Sequence, residues 1–213
     1  MLKKWVIASL LFGLSGCTTA YYAAMEKVGV HKRDILIDRV EDARDAQQKG
    51  QQEFKDALDQ LSQLIGFHGG NLQEQYDALS NQYEDSKKAA ADVSARINKV
   101  ELVAFDLFNE WEEELKQYQN KKMRADSKRQ LLETKRQFDA LVKVMRRAES
   151  KMPPVLRVLQ DNVLYLKHNL NAKAVGAISG EFGLLQQDVE QLINEMNRAI
   201  ADSNQFIASI RQS

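Results

Sequence analysis

The chain of 213 residues carries 30 Lys and Arg against 30 Asp and Glu, so its formal net charge at pH 7 is zero. A nucleic-acid-binding protein usually has a basic excess, and this balance argues against that class. Charged residues make up 28% of the chain and aromatic residues 8%, with 10 glycines and 2 prolines, which is typical of long exposed helices rather than a thick globular core.

The first sixteen residues have the order of a secretory signal peptide. Lys3 and Lys4 are followed by an apolar run from Trp5 to Leu14 and by small residues before Cys17. The run is too short to span a bilayer, which needs about 20 apolar residues. The tetrapeptide LSGC, ending at Cys17, resembles the lipobox of bacterial lipoprotein signals. An ordinary secretory signal with a coincidental cysteine is the alternative.

The lipobox resemblance gives Cys17 a role. It implies cleavage between Gly16 and Cys17, a diacylglycerol on the Cys17 thiol, and anchoring of the mature chain in membrane lipid. Cys17 is the only cysteine, so lipidation leaves no thiol for a disulfide, for catalysis or for a metal. In Gram-negative lipoproteins an aspartate after the cysteine commonly signals inner-membrane retention. Thr18 therefore favours the outer membrane, facing the periplasm.

The first helical stripes follow a short tether predicted for residues 18–30. From Leu36 to Leu64, apolar or small residues recur in alternating steps of four and three, which places most of them on one side of a helix. The segment from Gly66 to Asn71 contains three glycines and predicts a turn that ends this helix. A second stripe runs from Leu72 to Trp111 and continues loosely to Tyr118.

The third stripe begins after a polar dozen, residues 119–130. It resumes at Leu131, shifted by one residue from the earlier register. The shift predicts a hairpin turn in which Asp126 or Ser127 caps the next helix. One continuous, kinked helix is the alternative.

Two further stripes complete the chain. The pair Pro153-Pro154 predicts a kink or a break, because proline lacks the backbone N–H that a helix uses. A stripe from Leu156 to Leu170 follows, then a short joint at residues 169–173. The last stripe runs from Ile178 to Ile210.

Narrow apolar stripes separated by charged faces predict an all-α protein. We expect an elongated antiparallel helical bundle, a coiled-coil-like rod of four to five long helices. Residues 1–16 would be the signal peptide, 17–30 the lipidated cysteine and tether, and 31–213 a single helical domain. A heptad indicates a partner helix without saying whether it belongs to the same chain, so self-association stays open.

Motifs for catalysis or for cofactor binding are absent from the sequence. His31, His68 and His168 are too far apart for local metal-ligand spacing, and there is no HExxH, nucleotide-binding glycine loop or GxSxG. The glutamates around Trp111 are typical of a solvated helix face. We therefore expect no enzymatic activity, metal, cofactor or nucleotide.

Basic residues suggest contacts with a membrane surface. Lys121 to Arg129 and Lys143 to Lys151 are two basic clusters that could contact lipid phosphates or lipopolysaccharide, although solvated helix surfaces are the simpler interpretation. His31, Lys32 and Arg33 differ from them, because the tether places these three residues near the bilayer. We consider headgroup contact and plain solvation equally open there.

Five polar residues cluster near the predicted joint at residues 169–173. Asp161 and His168 are seven residues apart and fall on one side of a helix. The whole cluster consists of Asp161, Lys167, His168, Asn169 and Asn171. It predicts either a binding patch or a hydrogen-bonded network that caps two helices, since Asn suits both capping positions.

Two segments carry a family resemblance. AYYAAMEKVGVHKRDILIDRVEDARDAQ near the start and MPPVLRVLQDNVLYLKHNLNAKA later resemble a bacterial family of uncharacterised envelope lipoproteins, classed as a domain of unknown function. The resemblance covers nearly the whole mature chain and implies no catalytic residues. Members sometimes carry an automatic "DNA repair ATPase" label. This sequence does not support that label, because it has no nucleotide loop and no basic excess, and it begins with an export signal.

The first functional hypothesis is a non-enzymatic, lipid-anchored envelope protein that acts as a scaffold or interaction rod. Its partners would be membrane lipid, through the acylated Cys17, and an envelope protein or a second copy of itself, with no nucleic acid. The alternative is a protein that binds or shapes the membrane surface through its basic helix ends. An enzyme using Asp161 and His168 is a third and weaker hypothesis, because a bundle of narrow stripes offers little room for a cleft.

Overall fold

The computed structural model describes residues 31–67 and 69–212. Within these residues the chain forms five helices, which are α1 (Lys32–Ile65), α2 (Leu72–Leu115), α3 (Lys121–His168), α4 (Ala172–Ser179) and α5 (Phe182–Gln212). The longest helix, α3, has 48 residues and is roughly 72 Å long. The signal peptide, its cleavage at Gly16, the lipidated Cys17 and the tether were predicted for residues that lie outside the described ones.

The four long helices form an antiparallel bundle. Helix α1 packs against α2 and α5, and α3 packs against the same two helices, so the four make a closed ring of neighbours. The short α4 connects α3 to α5 and contacts both of them as well as α1. The sequence-based prediction of an all-α antiparallel bundle is confirmed, and none of the residues in the described ranges lies in a strand.

One continuous apolar core fills the centre of this bundle. Its fully buried side chains come from each long helix and include Leu36, Leu61, Leu79, Ile97, Met145, Leu159 and Leu185. Burying one side chain of this size stabilises the fold by about 1.5–3 kcal/mol. The described core lies between residues 35 and 210, so we expect residues 18–213 to fold without the lipid. No helix in the described ranges is long and apolar enough to cross a membrane.

The turn predicted between the first two stripes is confirmed. Helix α1 ends at Ile65, and Gly70 has a φ of 117°, a left-handed conformation that favours glycine. Asn71 then caps α2, its side-chain oxygen accepting a hydrogen bond from the Gln73 backbone N–H at 3.1 Å. The turn at Gly70 and the cap at Asn71 together reverse the direction of the chain within a few residues.

The predicted start of the third helix is wrong by about six residues. Helix α3 begins at Lys121, because the Asn120 side chain accepts hydrogen bonds from the backbone N–H groups of Lys122 and Met123 at 3.0 and 3.1 Å. Neither Asp126 nor Ser127 caps it, and both lie inside the helix. The first two turns of α3 are mostly exposed and contribute little to the core. The apolar stripe therefore begins several residues after the helix does, and the sequence pattern placed the start of the helix too late.

Pro153 and Pro154 do not break α3, so of the predicted kink or break the break is wrong. The helix continues through both residues to His168. Both prolines are exposed, whereas the flanking Met152 and Val155 are 1% exposed in the core. The two missing N–H groups therefore leave carbonyls on the solvent side, where water can bind them, while core packing on the opposite side holds the helix.

The last stripe contains a break that the sequence pattern did not predict. Ile178 belongs to the short α4, which ends at Ser179, and α5 begins at Phe182. Gly180 follows α4 as its C-cap residue. The predicted joint at residues 169–173 is confirmed, since α3 ends just before it and α4 begins inside it.

Candidate functional site

Four helix termini meet at the end of the bundle where α1 begins, which we call the proximal end. Lys32 at the start of α1 forms a 2.7 Å ion pair with Glu110 near the end of α2. In the same region the Ser209 hydroxyl of α5 donates a 2.8 Å hydrogen bond to the side-chain oxygen of Gln137 of α3. The proximal end therefore combines the N-termini of α1 and α3 with the C-termini of α2 and α5.

The connection between α2 and α3 projects beyond the other two helices at the proximal end. We call residues 116–129 the hairpin tip. The Trp111 indole N–H donates a 2.8 Å hydrogen bond to the Ser127 hydroxyl, which fixes how the two helices align. Helix α3 begins 13 residues before Thr134, which lines one cleft with Arg33 of α1, so the hairpin tip extends roughly 20 Å past the level at which α1 starts.

The hairpin tip is strongly basic. It contains six Lys and Arg residues but only one acidic residue, Asp126. Lys116 pairs with Glu113 at 2.6 Å, and Arg129 pairs with Asp126. The other four cations form no ion pair with any residue in the described ranges, and they are Lys121, Lys122, Arg124 and Lys128. Two apolar or aromatic side chains, Met123 and Tyr118, are also exposed there, at 56% and 37%.

The three residues predicted for headgroup contact have different environments. His31 is exposed as the N-cap of α1, and its backbone N–H donates to the Asp34 carboxylate at 3.3 Å. The Lys32 side chain is 15% exposed because Glu110 holds it against α2. Arg33 is exposed and lines an open cleft of about 210 Å³ together with Trp111. A surface contact can therefore involve His31 and Arg33 more readily than Lys32.

The second basic cluster, Lys143 to Lys151, is largely engaged within the bundle. Arg147 forms a 2.9 Å ion pair with the buried Glu195 of α5, and Lys151 donates to Gln191 of the same helix at 3.2 Å. Arg146 binds Glu101 of α2, and this hydrogen bond is the main cause of a raised pKa for the Arg146 guanidinium. These contacts join α3 to both of its neighbours.

The polar cluster near residues 161–171 is at the opposite end of the bundle. All five side chains are exposed, and Asp161, Lys167 and His168 make no side-chain hydrogen bond to any residue that the structure describes. Asn169 ends α3, its side-chain amide donating to the Tyr165 carbonyl at 3.1 Å. The Asn171 side chain accepts from the Ala174 N–H at 3.0 Å and caps α4. The two asparagines thus make the capping contacts that the sequence suggested as one of two interpretations.

Metal ligation has no candidate among the described residues, where no group of three or more His, Cys, Asp or Glu side chains converges. Among residues 31–67 and 69–212, about half of the Lys, Arg, Asp and Glu side chains form ion pairs along or between neighbouring helices. Glu112, for example, accepts a hydrogen bond from Lys135, which lowers the pKa of the Glu112 carboxyl. Such pairs stabilise helix contacts modestly and leave no convergent set of donors.

The sequence patterns did not predict two apolar side chains that are exposed on the outer surface of α2. Leu102 and Phe105 are 49% and 64% exposed and lie three residues apart, so they are neighbours on the helix surface. Phe105 lies on the side of α2 that carries Glu101 and Glu112, both bound by side chains of α3. The available signal was that both residues fall outside the apolar stripe from Leu72 to Trp111.

The geometry defines an elongated antiparallel four-helix bundle with one projecting basic hairpin. The chain belongs to the family described as "Protein of unknown function (DUF2959)", whose model matches residues 21–210. This agrees with the resemblance to an uncharacterised family drawn from the sequence segments. No curated protein and no solved structure matches the chain with significant similarity.

Proposed function

We propose that this protein is a lipid-anchored, non-enzymatic rod of the bacterial envelope that docks another envelope protein along its side. The export signal and the LSGC motif ending at Cys17 support the anchoring. Two or more acyl chains on one protein hold it stably on a bilayer. In this proposal the bundle is the rigid element and its surface is the functional part.

The exposed pair Leu102 and Phe105 carries the docking part of the proposal. The bundle has already buried the apolar stripes of its four long helices, so this pair is not needed to hold α2 in place. Aromatic and large apolar side chains are enriched at the centres of protein interfaces. A partner helix laid along the outer side of α2 would cover both residues.

Site-directed photo-crosslinking in living cells tests the docking surface. A photoreactive amino acid is placed at Phe105 and, as a matched control, at Ala201, which is exposed on α5. We expect one discrete protein adduct at position 105, identified by mass spectrometry, that Leu102→Asp abolishes and that position 201 does not give. Equal labelling at both positions, or adducts with lipid alone, would overturn the docking role. An adduct with a second copy of the chain would show that this surface mediates self-association and does not dock another envelope protein.

The anchoring is tested separately with Cys17→Ser. We expect the natural chain to incorporate radioactive fatty acid and to stay with the membrane fraction, and the variant to lose both properties. Incorporation that survives the substitution would contradict lipidation at Cys17. A variant that loses the label but stays on the membrane would show that another part of the chain holds it there.

A further inference from the structure

We propose that the hairpin tip, residues 116–129, is a binding site for the headgroups of anionic phospholipids. It would contact the bilayer that holds the acylated Cys17 and so set the angle between the axis of the rod and the membrane. The orientation rests on the proposed lipid anchor. The binding itself rests on the charge, exposure and position of the tip.

Four of the six cations in the hairpin tip lack ion-pair partners among the described residues. Lys121, Lys122, Arg124 and Lys128 form no ion pair with any described residue. Three of them lie in the first turn of α3, which contains no acidic residue. Cations at a helix N-terminus oppose the helix dipole, whose positive end lies there, whereas an anion is favoured at the same place. Phosphate groups at the tip would relieve this repulsion.

The position of the hairpin tip selects a membrane as the source of these phosphates. Helix α1 starts at the proximal end, so its first residue lies at the end of the bundle from which the tip projects, and the tether was predicted to precede that residue. A tether of 13 residues can span at most about 45 Å. The bilayer that holds Cys17 is therefore within reach of the tip, which extends roughly 20 Å past the start of α1.

The side chains between the cations also fit a lipid surface. Tyr118 and Met123 are exposed at the tip, beside Lys121, Lys122 and Arg124. Tyrosine is favoured at the headgroup level, and basic residues beside apolar ones are typical of segments that lie on anionic bilayers. Because the whole chain has no excess of positive charge, binding to an anionic surface would depend on this local cluster.

Vesicle co-sedimentation of residues 18–213 tests the proposal without the lipid anchor. The vesicles consist of phosphatidylcholine alone or with about 30% phosphatidylglycerol, at salt concentrations from about 50 to 500 mM. The tip variant combines Lys121→Gln, Lys122→Gln, Arg124→Gln and Lys128→Gln. The matched control removes four exposed cations from the middle of the bundle, none of which forms an ion pair with a described residue, by Lys49→Gln, Lys55→Gln, Lys99→Gln and Lys143→Gln.

We expect the natural sequence to bind only the anionic vesicles, with affinity falling as salt rises, and the tip variant to bind at least about tenfold more weakly. The control variant should bind like the natural sequence. Equal binding to neutral vesicles, or equal losses in both variants, would overturn the proposal. Thermal unfolding checks that each variant is folded. If the fourfold variant is unfolded, Arg124→Gln alone is used in the same binding experiment. Because Cys17 is absent from this experiment, its result is independent of lipidation.

Discussion

The Trp111 indole donates a 2.8 Å hydrogen bond to Ser127, and this bond joins the end of α2 to the start of α3. Ser127 is 8% exposed, although it lies in a stretch of mostly exposed residues. The bond holds the base of the hairpin tip in one alignment. Trp111 is the only tryptophan after Trp5, so its fluorescence in residues 18–213 reports on this position alone.

Ser127→Ala should destabilise the bundle by about 1 kcal/mol, because it leaves the Trp111 N–H without its partner on the protein. Urea unfolding of residues 18–213, followed by Trp111 fluorescence, measures the change. Ser62→Ala, at an exposed position of α1, is the control and should change stability by less than about 0.5 kcal/mol. Equal effects of the two substitutions would mean that water replaces the Ser127 hydroxyl with no loss of stability.

Gln47→Leu should stabilise the protein by about 1–3 kcal/mol. Gln47 is 0% exposed in the core, and neither its side-chain oxygen nor its nitrogen has a hydrogen-bond partner in the part of the chain that the structure describes. An apolar side chain removes that unsatisfied amide and adds packing. The comparison is Gln48→Leu at the exposed neighbouring position, for which we expect almost no change in the urea midpoint.

A loss of stability in Gln47→Leu would show that the amide is satisfied by a bound water. Light scattering of the same variant adds a second measurement. Buried polar residues in coiled coils often select one alignment or oligomeric state. If Gln47 has that role, the more stable variant should form a mixture of oligomers.

Pro154→Ala should raise stability by about 1–3 kcal/mol, because alanine restores an N–H group inside a helix that is already continuous. Thermal unfolding measured by circular dichroism should show a higher midpoint and slightly greater helicity. A lower midpoint would indicate that a proline-induced bend of α3 is required for packing of Met152 and Val155. Because Pro154 is exposed, a loss of packing by the ring itself is not a competing explanation.

The pair of Glu112 and Lys135 should contribute stability only above acidic pH. The hydrogen bond from Lys135 lowers the pKa of the Glu112 carboxyl from its ordinary value of 4.5. A group with a lowered pKa in the folded state stabilises the fold above its unfolded pKa, and that contribution disappears as the pH falls through the folded pKa. The difference between the natural chain and Glu112→Gln should therefore be present at neutral pH and vanish well below pH 4.5.

An NMR titration of the Glu112 carboxyl tests the cause directly. In Lys135→Gln the pKa of Glu112 should return upward toward its ordinary value. A Glu112 pKa that is unchanged by the loss of Lys135 would show that the hydrogen bond is not what lowers it. Since the pair is exposed to solvent, raising the salt concentration should weaken the effect.

Periodicity alone was sufficient for much of the fold. The stripe from Leu36 to Leu64 and its neighbours predicted long helices, because a helix returns to the same side every three or four residues. The glycines after Ile65 and the asparagines at residues 169 and 171 predicted two of the connections. These are local signals, since a cap or a turn depends on residues a few positions apart.

Contacts between distant residues decided the rest. The sequence suggested Asp126 or Ser127 as a helix cap and left headgroup contact and solvation open for Lys32. In the structure, Trp111 binds Ser127 and Glu110 binds Lys32, each from another helix. Core packing carries α3 through its two prolines. The sequence by itself determined the helices, the LSGC motif and the basic clusters. Only the tertiary structure placed the hairpin tip beside the start of α1, because the alignment of antiparallel helices depends on side chains far apart in the chain.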